Sequence, residues 1–250
     1  MLILGTTLGI VAFFTHLQTK RNRYLYWAFA GFTIALLSKS ISAFFMVPGL
    51  LVFVLLKNQL AALLKNKHFY LSLLILLVFG FGYYALREFY NPGFLQAVWE
   101  NELFGRYSEV KVTHSGPFSF YFRKIVNWQF APWFLLLFAA VPLSVYSGKK
   151  QRTTNVRDFV VYGLLTTLIC LLVLSLSKTK THQYIAQIFP VWALVAALPL
   201  HFLLKTAYQS FPQKQLSLVF LVFIIAAVFY QPSKTIIAQN LSNDNLGVQR

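Results

Sequence analysis

Long apolar runs separated by short polar breaks fill almost all of this 250-residue chain, and they constrain its fold more than any other feature. Hydrophobic residues make up 58% of the sequence and charged residues 11%, whereas a soluble domain carries roughly 25% charged residues. A helix that crosses a bilayer needs about 20 mostly apolar residues, and fewer when neighbouring helices shield its ends. The sequence therefore predicts an all-α integral membrane protein and argues against a soluble globular enzyme.

Several segments are apolar enough to be spanning helices. We predict them at residues 1–17, 24–38, 41–56, 69–86, 129–147, 158–177, 184–204 and 215–231. Only Ser38-Lys39-Ser40 separates the second segment from the third. The alternative that the third segment is partly re-entrant therefore stays open. We expect residues 1–231 to form a single transmembrane domain, a multi-spanning helical bundle, and residues 232–250 to form a polar tail on the outer side.

Basic residues are divided unequally between the two sets of loops. Strict alternation puts segments 18–23, 57–68, 148–157 and 205–214 on one side, where, with the boundary residue Asp158, they hold twelve basic residues and one acidic residue. The opposite side holds ten basic and five acidic residues. Since cytoplasmic loops carry the excess of lysine and arginine, the first set is predicted to be inside. The basic residues form no continuous face, which argues against a nucleic-acid partner.

The longest polar segment is the outer loop at residues 87–127. Residues 94–104 carry apolar side chains at helical spacing after the start signal Asn91-Pro92-Gly93, which predicts an amphipathic helix on the outer surface. The loop also contains a charged cluster, whose carboxylates either coordinate a metal or sugar hydroxyls or form a solvated, salt-bridged face. The cluster consists of Glu100, Glu102, Arg106 and Glu109.

Cations on the outer side are candidates for binding chemistry. Lys39 lies between two apolar runs, where it either snorkels to the interface or holds a phosphate. Lys178 and Lys180 lie two residues apart in a turn rich in hydroxyl groups, and such a cluster of donors fits an anionic headgroup or a diphosphate. His114 and His182 fall in the same polar breaks, and metal ligation, substrate binding and simple solvation all stay open for them.

Aspartate and cysteine are almost absent from the chain. Residues 1–157 contain no aspartate, and the two that follow, Asp158 and Asp244, lie at a predicted cytoplasmic boundary and in the tail. A mechanism that needs an outer aspartate is therefore unsupported by this sequence. The single cysteine, Cys170, excludes a disulfide within the chain and a cysteine-based metal site.

Four groups of residues, in this order, resemble a known family. The first group is Ala35-Leu36-Leu37-Ser38-Lys39-Ser40 with Met46-Val47-Pro48-Gly49-Leu50. The second is Asn101-Glu102 through Arg106, then His114-Ser115-Gly116-Pro117-Phe118 and Tyr121. The third is Phe130-Ala131-Pro132-Trp133, and the fourth is Ser175-Leu176-Ser177-Lys178-Thr179-Lys180 with Tyr184 and Pro190. Over about residues 1–200 the chain resembles bacterial glycosyltransferase family 39. This family includes relatives of the dolichyl-phosphate-mannose protein mannosyltransferases and of the lipid A aminoarabinose transferase.

The resemblance implies a GT-C fold of about eight transmembrane helices in the bacterial cytoplasmic (inner) membrane, with the active face periplasmic or extracellular. It implies a polyprenyl-phosphate-linked sugar as donor and a hydroxyl of a protein, lipid A or another glycan as acceptor. Cofactors are not implied with certainty, and a divalent metal stays open. The implied carrier-phosphate or donor-binding residues are Lys39, Lys178, Lys180 and Tyr184. The implied substrate-binding residues of the outer loop are Asn101, Glu102, Arg106, His114 and Tyr121.

The chain also departs from the family pattern. The family's catalytic aspartate has no counterpart here, and His182 is offset by one position. We therefore expect the chain to be the C-terminal part of such an enzyme and to be inactive by itself. Two alternatives stay open: an enzyme like the O-antigen ligases or polymerases that also uses a polyprenyl carrier, and a non-catalytic membrane partner subunit that binds a lipid carrier. A transporter is disfavoured, because no charge falls in the middle of a predicted helix.

Overall fold

A computed structural model of the chain describes residues 1–39, 42, 44–100, 116–126, 131–150, 154–177, 180, 182–210, 219 and 222. These residues are helical almost throughout and contain no strand, which confirms the all-α class. Three helices among them are long and apolar enough to cross a membrane, namely Leu2–Thr19, Lys67–Tyr90 and Val156–Leu176. Three more are apolar but shorter, namely Val47–Leu56, Trp133–Val145 and Phe189–Phe202. The predicted total of eight spans is not confirmed, and nearly all of 215–231 lies outside the described residues.

The first two helices, α1 (Leu2–Thr19) and α2 (Arg23–Lys39), form an antiparallel hairpin. Their backbones are in direct contact, because a Cβ atom added to Gly31 would lie 2.6 Å from the Gly9 nitrogen and 2.7 Å from the Gly5 carbonyl oxygen. Gly5 and Gly9 are four residues apart and so lie on one face of α1. Small residues at this spacing let membrane helices approach closely. The hairpin is therefore fixed by backbone packing.

The next segment contains two short helices, α3 (Val47–Leu56) and α4 (Leu60–Leu64). Helix α3 begins six residues after the predicted start at residue 41. Pro48 lies in its first turn, where the missing N–H needs no partner. Helix α4 forms within the segment 57–68 that was predicted as a loop.

A long apolar span follows as three consecutive pieces: α5 (Lys67–Ile75), a π-helical turn (Leu76–Phe81) and α6 (Gly82–Tyr90). The span predicted at 69–86 is thus confirmed as a helical segment, and it extends a few residues further at each end. It is followed by α7 (Phe94–Val98), the part of the predicted amphipathic helix that the structure describes as α-helical. Gly93 precedes α7 with φ 94°, a left-handed conformation that favours glycine.

The C-terminal half of the described chain contains α8 (Phe120–Lys124), α9 (Ala131–Lys150), α10 (Thr154–Leu176), a 3-10 helix (His182–Gln187) and α11 (Phe189–Ser210). Helix α10 packs against α1 and α3 in the core. The Tyr162 hydroxyl donates a hydrogen bond to the Ile10 carbonyl at 2.8 Å, and its ring lies 4.9 Å from Phe14 and 5.0 Å from Phe53. The buried phenol is thus satisfied by a neighbouring helix, which ties α10 to α1.

Polar side chains join three of the predicted inside segments at one end of the bundle. The Lys57 ammonium lies 2.5 Å from the Asp158 carboxylate, and the Lys20 ammonium donates to Gln59 Oε1 at 2.7 Å. Asn66 also donates to Asn22 at 2.9 Å. We call this the basic end. The prediction that residues 18–23, 57–68 and the start of α10 share one side agrees with these contacts.

Candidate functional site

Lys180 lies at the end of the bundle opposite to the basic end, just beyond the C-terminus of α10. Its side chain is only 5% exposed. The ammonium donates a hydrogen bond to the Ser175 carbonyl at 2.6 Å and lies 5.9 Å from the centre of the Tyr121 ring. In the part of the chain that the structure describes, no carboxylate pairs with it. Burying a cation without a counter-charge is costly, so the position favours an anionic ligand.

Tyr121 reaches this position from the outer loop. It belongs to α8 and is 1% exposed, and Ile125, directly after α8, is 0% exposed. Helix α8 packs against α10 and the 3-10 helix. The 3-10 helix carries Tyr184, which is 7% exposed and meets Phe45 edge-on at 6.3 Å. Two residues that the sequence proposed for the site, Tyr121 and Lys180, therefore lie together, and a third, Tyr184, lies on the 3-10 helix that α8 contacts. We call Tyr121, Lys180 and Tyr184 the lysine–tyrosine cluster.

Burial has an electrostatic consequence for Lys180. Desolvation lowers the pKa of its ammonium group below the ordinary lysine value of 10.5, because the charged form loses hydration. A phosphate placed beside the ammonium would restore the lost stabilisation of the charged form.

Gln187, at the end of the 3-10 helix, was missed by the sequence analysis. Its side chain is 1% exposed, its amide nitrogen lies 3.9 Å from the Cys170 sulfur, and its Oε1 has no hydrogen-bond partner within the described chain. Buried polar atoms are nearly always hydrogen-bonded. This unsatisfied acceptor, on the 3-10 helix that also carries Tyr184, is therefore a candidate contact for a hydroxyl group. The only sequence signal that could have pointed to Gln187 was the presence of a glutamine within an apolar run.

Most of the other predicted site residues lie outside the described part of the structure. Lys39 ends α2 and His182 begins the 3-10 helix, but the structure does not describe their side chains. The predicted roles of all these residues stay predictions. The residues that lie wholly outside the described ranges are Lys178, Asn101, Glu102, Arg106 and His114.

The carboxylates that the structure does describe have other partners. Glu88 accepts the backbone N–H groups of Gly93 and Leu95 at 2.9 and 2.7 Å, so it caps the start of α7. Glu100 accepts a hydrogen bond from Gln96. Within the described ranges no group of three or more histidine, cysteine, aspartate or glutamate side chains is arranged to hold a metal.

An apolar groove of about 270 Å³ lies between α9 and α11. One aromatic layer separates it from the lysine–tyrosine cluster: Phe134 is 6.1 Å from Trp192 and 6.1 Å from Phe122, the neighbour of Tyr121. Four lining residues follow the helical spacing of one face of α11, so the groove runs along that helix. Its lining is Trp133, Leu136, Ala193, Ala196, Ala197 and Leu200.

Comparison with known proteins supports a family assignment. Residues 1–83 match the family model described as dolichyl-phosphate-mannose-protein mannosyltransferase. This match confirms, over these residues, the resemblance found in the sequence, and it supports an assignment to the membrane glycosyltransferases of the GT-C type. An uncharacterized protein of Aquifex aeolicus (strain VF5) is 25% identical over 213 residues, which are 84% of this chain and 39% of the relative. The chain thus spans about two fifths of that relative's length. No solved structure gives a significant match.

Proposed function

We propose that this chain holds the carrier-phosphate site of a glycosyltransferase. The enzyme would transfer a sugar from a polyprenyl-phosphate donor to a hydroxyl of a protein, lipid or glycan on the outer face of the inner membrane. The observation that carries the proposal is the buried Lys180 beside Tyr121, at the end of the bundle opposite to the basic loops. The family match over residues 1–83 supports it.

The chemistry requires a cation at the leaving group. When the bond between the anomeric carbon and the phosphate oxygen breaks, the sugar becomes oxocarbenium-like and negative charge grows on the departing phosphate. A pre-organised ammonium in a poorly solvated site stabilises that charge without having to reorganise. The hydrogen bond from Lys180 to the Ser175 carbonyl holds the ammonium in place. Its remaining N–H groups are the donors that we assign to the carrier phosphate.

The apolar groove between α9 and α11 suits the hydrocarbon part of the donor. From Ala193 to Leu200 it follows α11 for about 10 Å, at 1.5 Å per residue. One aromatic layer separates it from the lysine–tyrosine cluster, and it runs along α11 away from the 3-10 helix. A phosphate at Lys180 would leave the first units of the polyprenyl chain at the mouth of this groove. Alanine side chains on the α11 face leave room for them.

The acceptor side of the reaction needs a base for the hydroxyl proton, and a carboxylate is expected. We assign this role to none of the described carboxylates, since Glu88, Glu100 and Asp158 have the other partners described above. Gln187 Oε1 is assigned a binding role. It would accept a hydrogen bond from a hydroxyl of the sugar or the acceptor.

A binding experiment tests the carrier-phosphate site. We expect Lys180→Ala to weaken binding of a polyprenyl phosphate to the purified chain by about tenfold to a hundredfold, because the loss of one charge-assisted hydrogen bond costs about 1.5–3 kcal/mol. Binding of the uncharged polyprenol should not change, since the groove is intact. Lys205→Ala is the matched control, because Lys205 is an exposed lysine 25 residues further along the chain, on α11. Equal phosphate affinity in Lys180→Ala and the wild type would disprove the assignment.

A further inference from the structure

A small polar cavity lies at the basic end, far from the lysine–tyrosine cluster. Its volume is about 70 Å³, and it lies where the C-terminus of α1 meets α4 and the start of α5. Four polar side chains and the apolar side chains of Leu17 and Leu63 contribute to its wall. The four polar residues are His16, Lys20, Gln59 and Asn66.

The lining presents hydrogen-bond donors to the cavity. The Lys20 ammonium uses one of its three N–H groups on Gln59 Oε1 at 2.7 Å, and this bond leaves the Gln59 NH₂ group free to donate. His16 is 5% exposed, and its Nδ1 must carry a proton because it lies 3.1 Å from the Arg21 carbonyl, which can only accept. The imidazole is thereby fixed in orientation at the wall. Donors from Lys20, at the end of α1, and Gln59, just before α4, therefore converge on one space.

The charge in the cavity wall is positive, and it comes from Lys20. The carboxylate described at the basic end, Asp158, is paired with Lys57 at 2.5 Å, so it does not neutralise Lys20. Lys20 is held at φ 57°, a left-handed conformation that is unfavourable for a residue with a side chain. Partial desolvation also lowers the pKa of its ammonium group, although the residue is exposed. An anion in the cavity would favour the charged form of this ammonium group.

We propose that this cavity binds a phosphate group, held by Lys20 and Gln59 at the headgroup level of the membrane face opposite to the glycosyl-transfer site. Phosphate chemistry of this kind has two sources, the headgroup of an anionic lipid and free phosphate. Basic crevices between helices on the cytoplasmic side suit lipid headgroups. The proposal goes beyond glycosyl transfer and does not depend on it, because it uses different residues at the other end of the bundle.

The test measures the affinity of the purified full chain in detergent for two probes, dioctanoyl phosphatidylglycerol and inorganic phosphate. We expect Lys20→Gln to weaken binding by about tenfold, as one charge-assisted contact is lost. Gln59→Glu should weaken it at least as much, because a carboxylate in the cavity repels the phosphate. Lys65→Gln is the matched control, since it removes an exposed charge from the same end without touching the cavity wall. Its affinity should equal that of the wild type.

Each outcome bears on the proposal. Binding of phosphatidylglycerol alone supports a lipid headgroup as the source, and binding of both probes in competition supports a site for free phosphate. If Lys20→Gln does not fold, the phosphate affinity of Gln59→Glu tests the proposal instead. This variant is expected to fold, because its new carboxylate pairs with Lys20 and preserves the local contact. The proposal is overturned if neither probe binds, if both cavity variants bind like the wild type, or if Lys65→Gln weakens binding equally.

Discussion

The contact between α1 and α2 makes Gly31→Ala a sharp test of the fold in the family-matched region. A Cβ atom on residue 31 would lie 2.6 Å from the Gly9 nitrogen, whereas ordinary contact begins at 3.4 Å. The two backbones must therefore move apart by roughly 0.8 Å, the difference between these distances. The obstructing atoms belong to the backbone, so no side-chain rotation can relieve the clash.

The size of the effect follows from this separation. A gap of about 0.5–1 Å forfeits a quarter to a half of the dispersion energy across a contact, and overpacking a close contact costs about 1–3 kcal/mol. Alanine regains up to about 1 kcal/mol in a helix relative to glycine. We therefore expect Gly31→Ala to lower the free energy of unfolding by about 1–2 kcal/mol.

Titration with sodium dodecyl sulfate, followed by circular dichroism, measures this change. Gly82→Ala is the matched control, because the nearest atom to its added Cβ, the Leu77 carbonyl oxygen, is 3.9 Å away. The control should be unchanged or slightly stabilised. If Gly31→Ala is as stable as the wild type while Gly82→Ala behaves as expected, α1 and α2 do not pack through Gly31.

Three further predictions concern the two ends of the bundle. A double-mutant cycle on Lys57 and Asp158 should give a coupling of about 0.5–1 kcal/mol in thermal unfolding, as for partly exposed ion pairs, and zero coupling would contradict the pairing. A membrane-impermeant maleimide should label Arg21→Cys only from the cytoplasmic side and Phe118→Cys only from the outer side, and labelling of both from one side would refute the topology. Because burial lowers the pKa of Lys180, polyprenyl-phosphate binding should weaken as pH rises through a value below 10.5. Lys180→Arg should abolish this pH dependence, since arginine keeps its charge.

Local features of the structure were the easiest to predict from the sequence. The turn Asn91-Pro92-Gly93 and the start of α7 follow from the conformational preferences of proline and glycine. The end of α2 at Lys39 coincides with the polar break that separates two apolar runs. The meeting of the basic loops follows from strict alternation of spans. Each of these depends on residues close together in the chain.

Features that depend on partner helices were not predictable in this way. A hydropathy analysis sums the contributions of single residues along the chain. It therefore missed the close approach of Gly31 to α1 and the start of α3 six residues later than predicted. The resemblance proposed Tyr121 and Lys180 separately, yet only the packing of α8 against the end of α10 brings them to 5.9 Å. The apolar groove and the unsatisfied oxygen of Gln187 likewise arise from packing between distant segments.

The most direct test of the carrier-phosphate site is photo-crosslinking with a polyprenyl phosphate that carries a diazirine in its first isoprene unit. Adducts are then mapped by mass spectrometry, with excess unlabelled polyprenyl phosphate as competitor. Our account predicts competable adducts on Trp133 and on the face of α11 around Ala193, and their loss in Lys180→Ala. Competable adducts found only at the basic end, around Lys20 and Gln59, would contradict it.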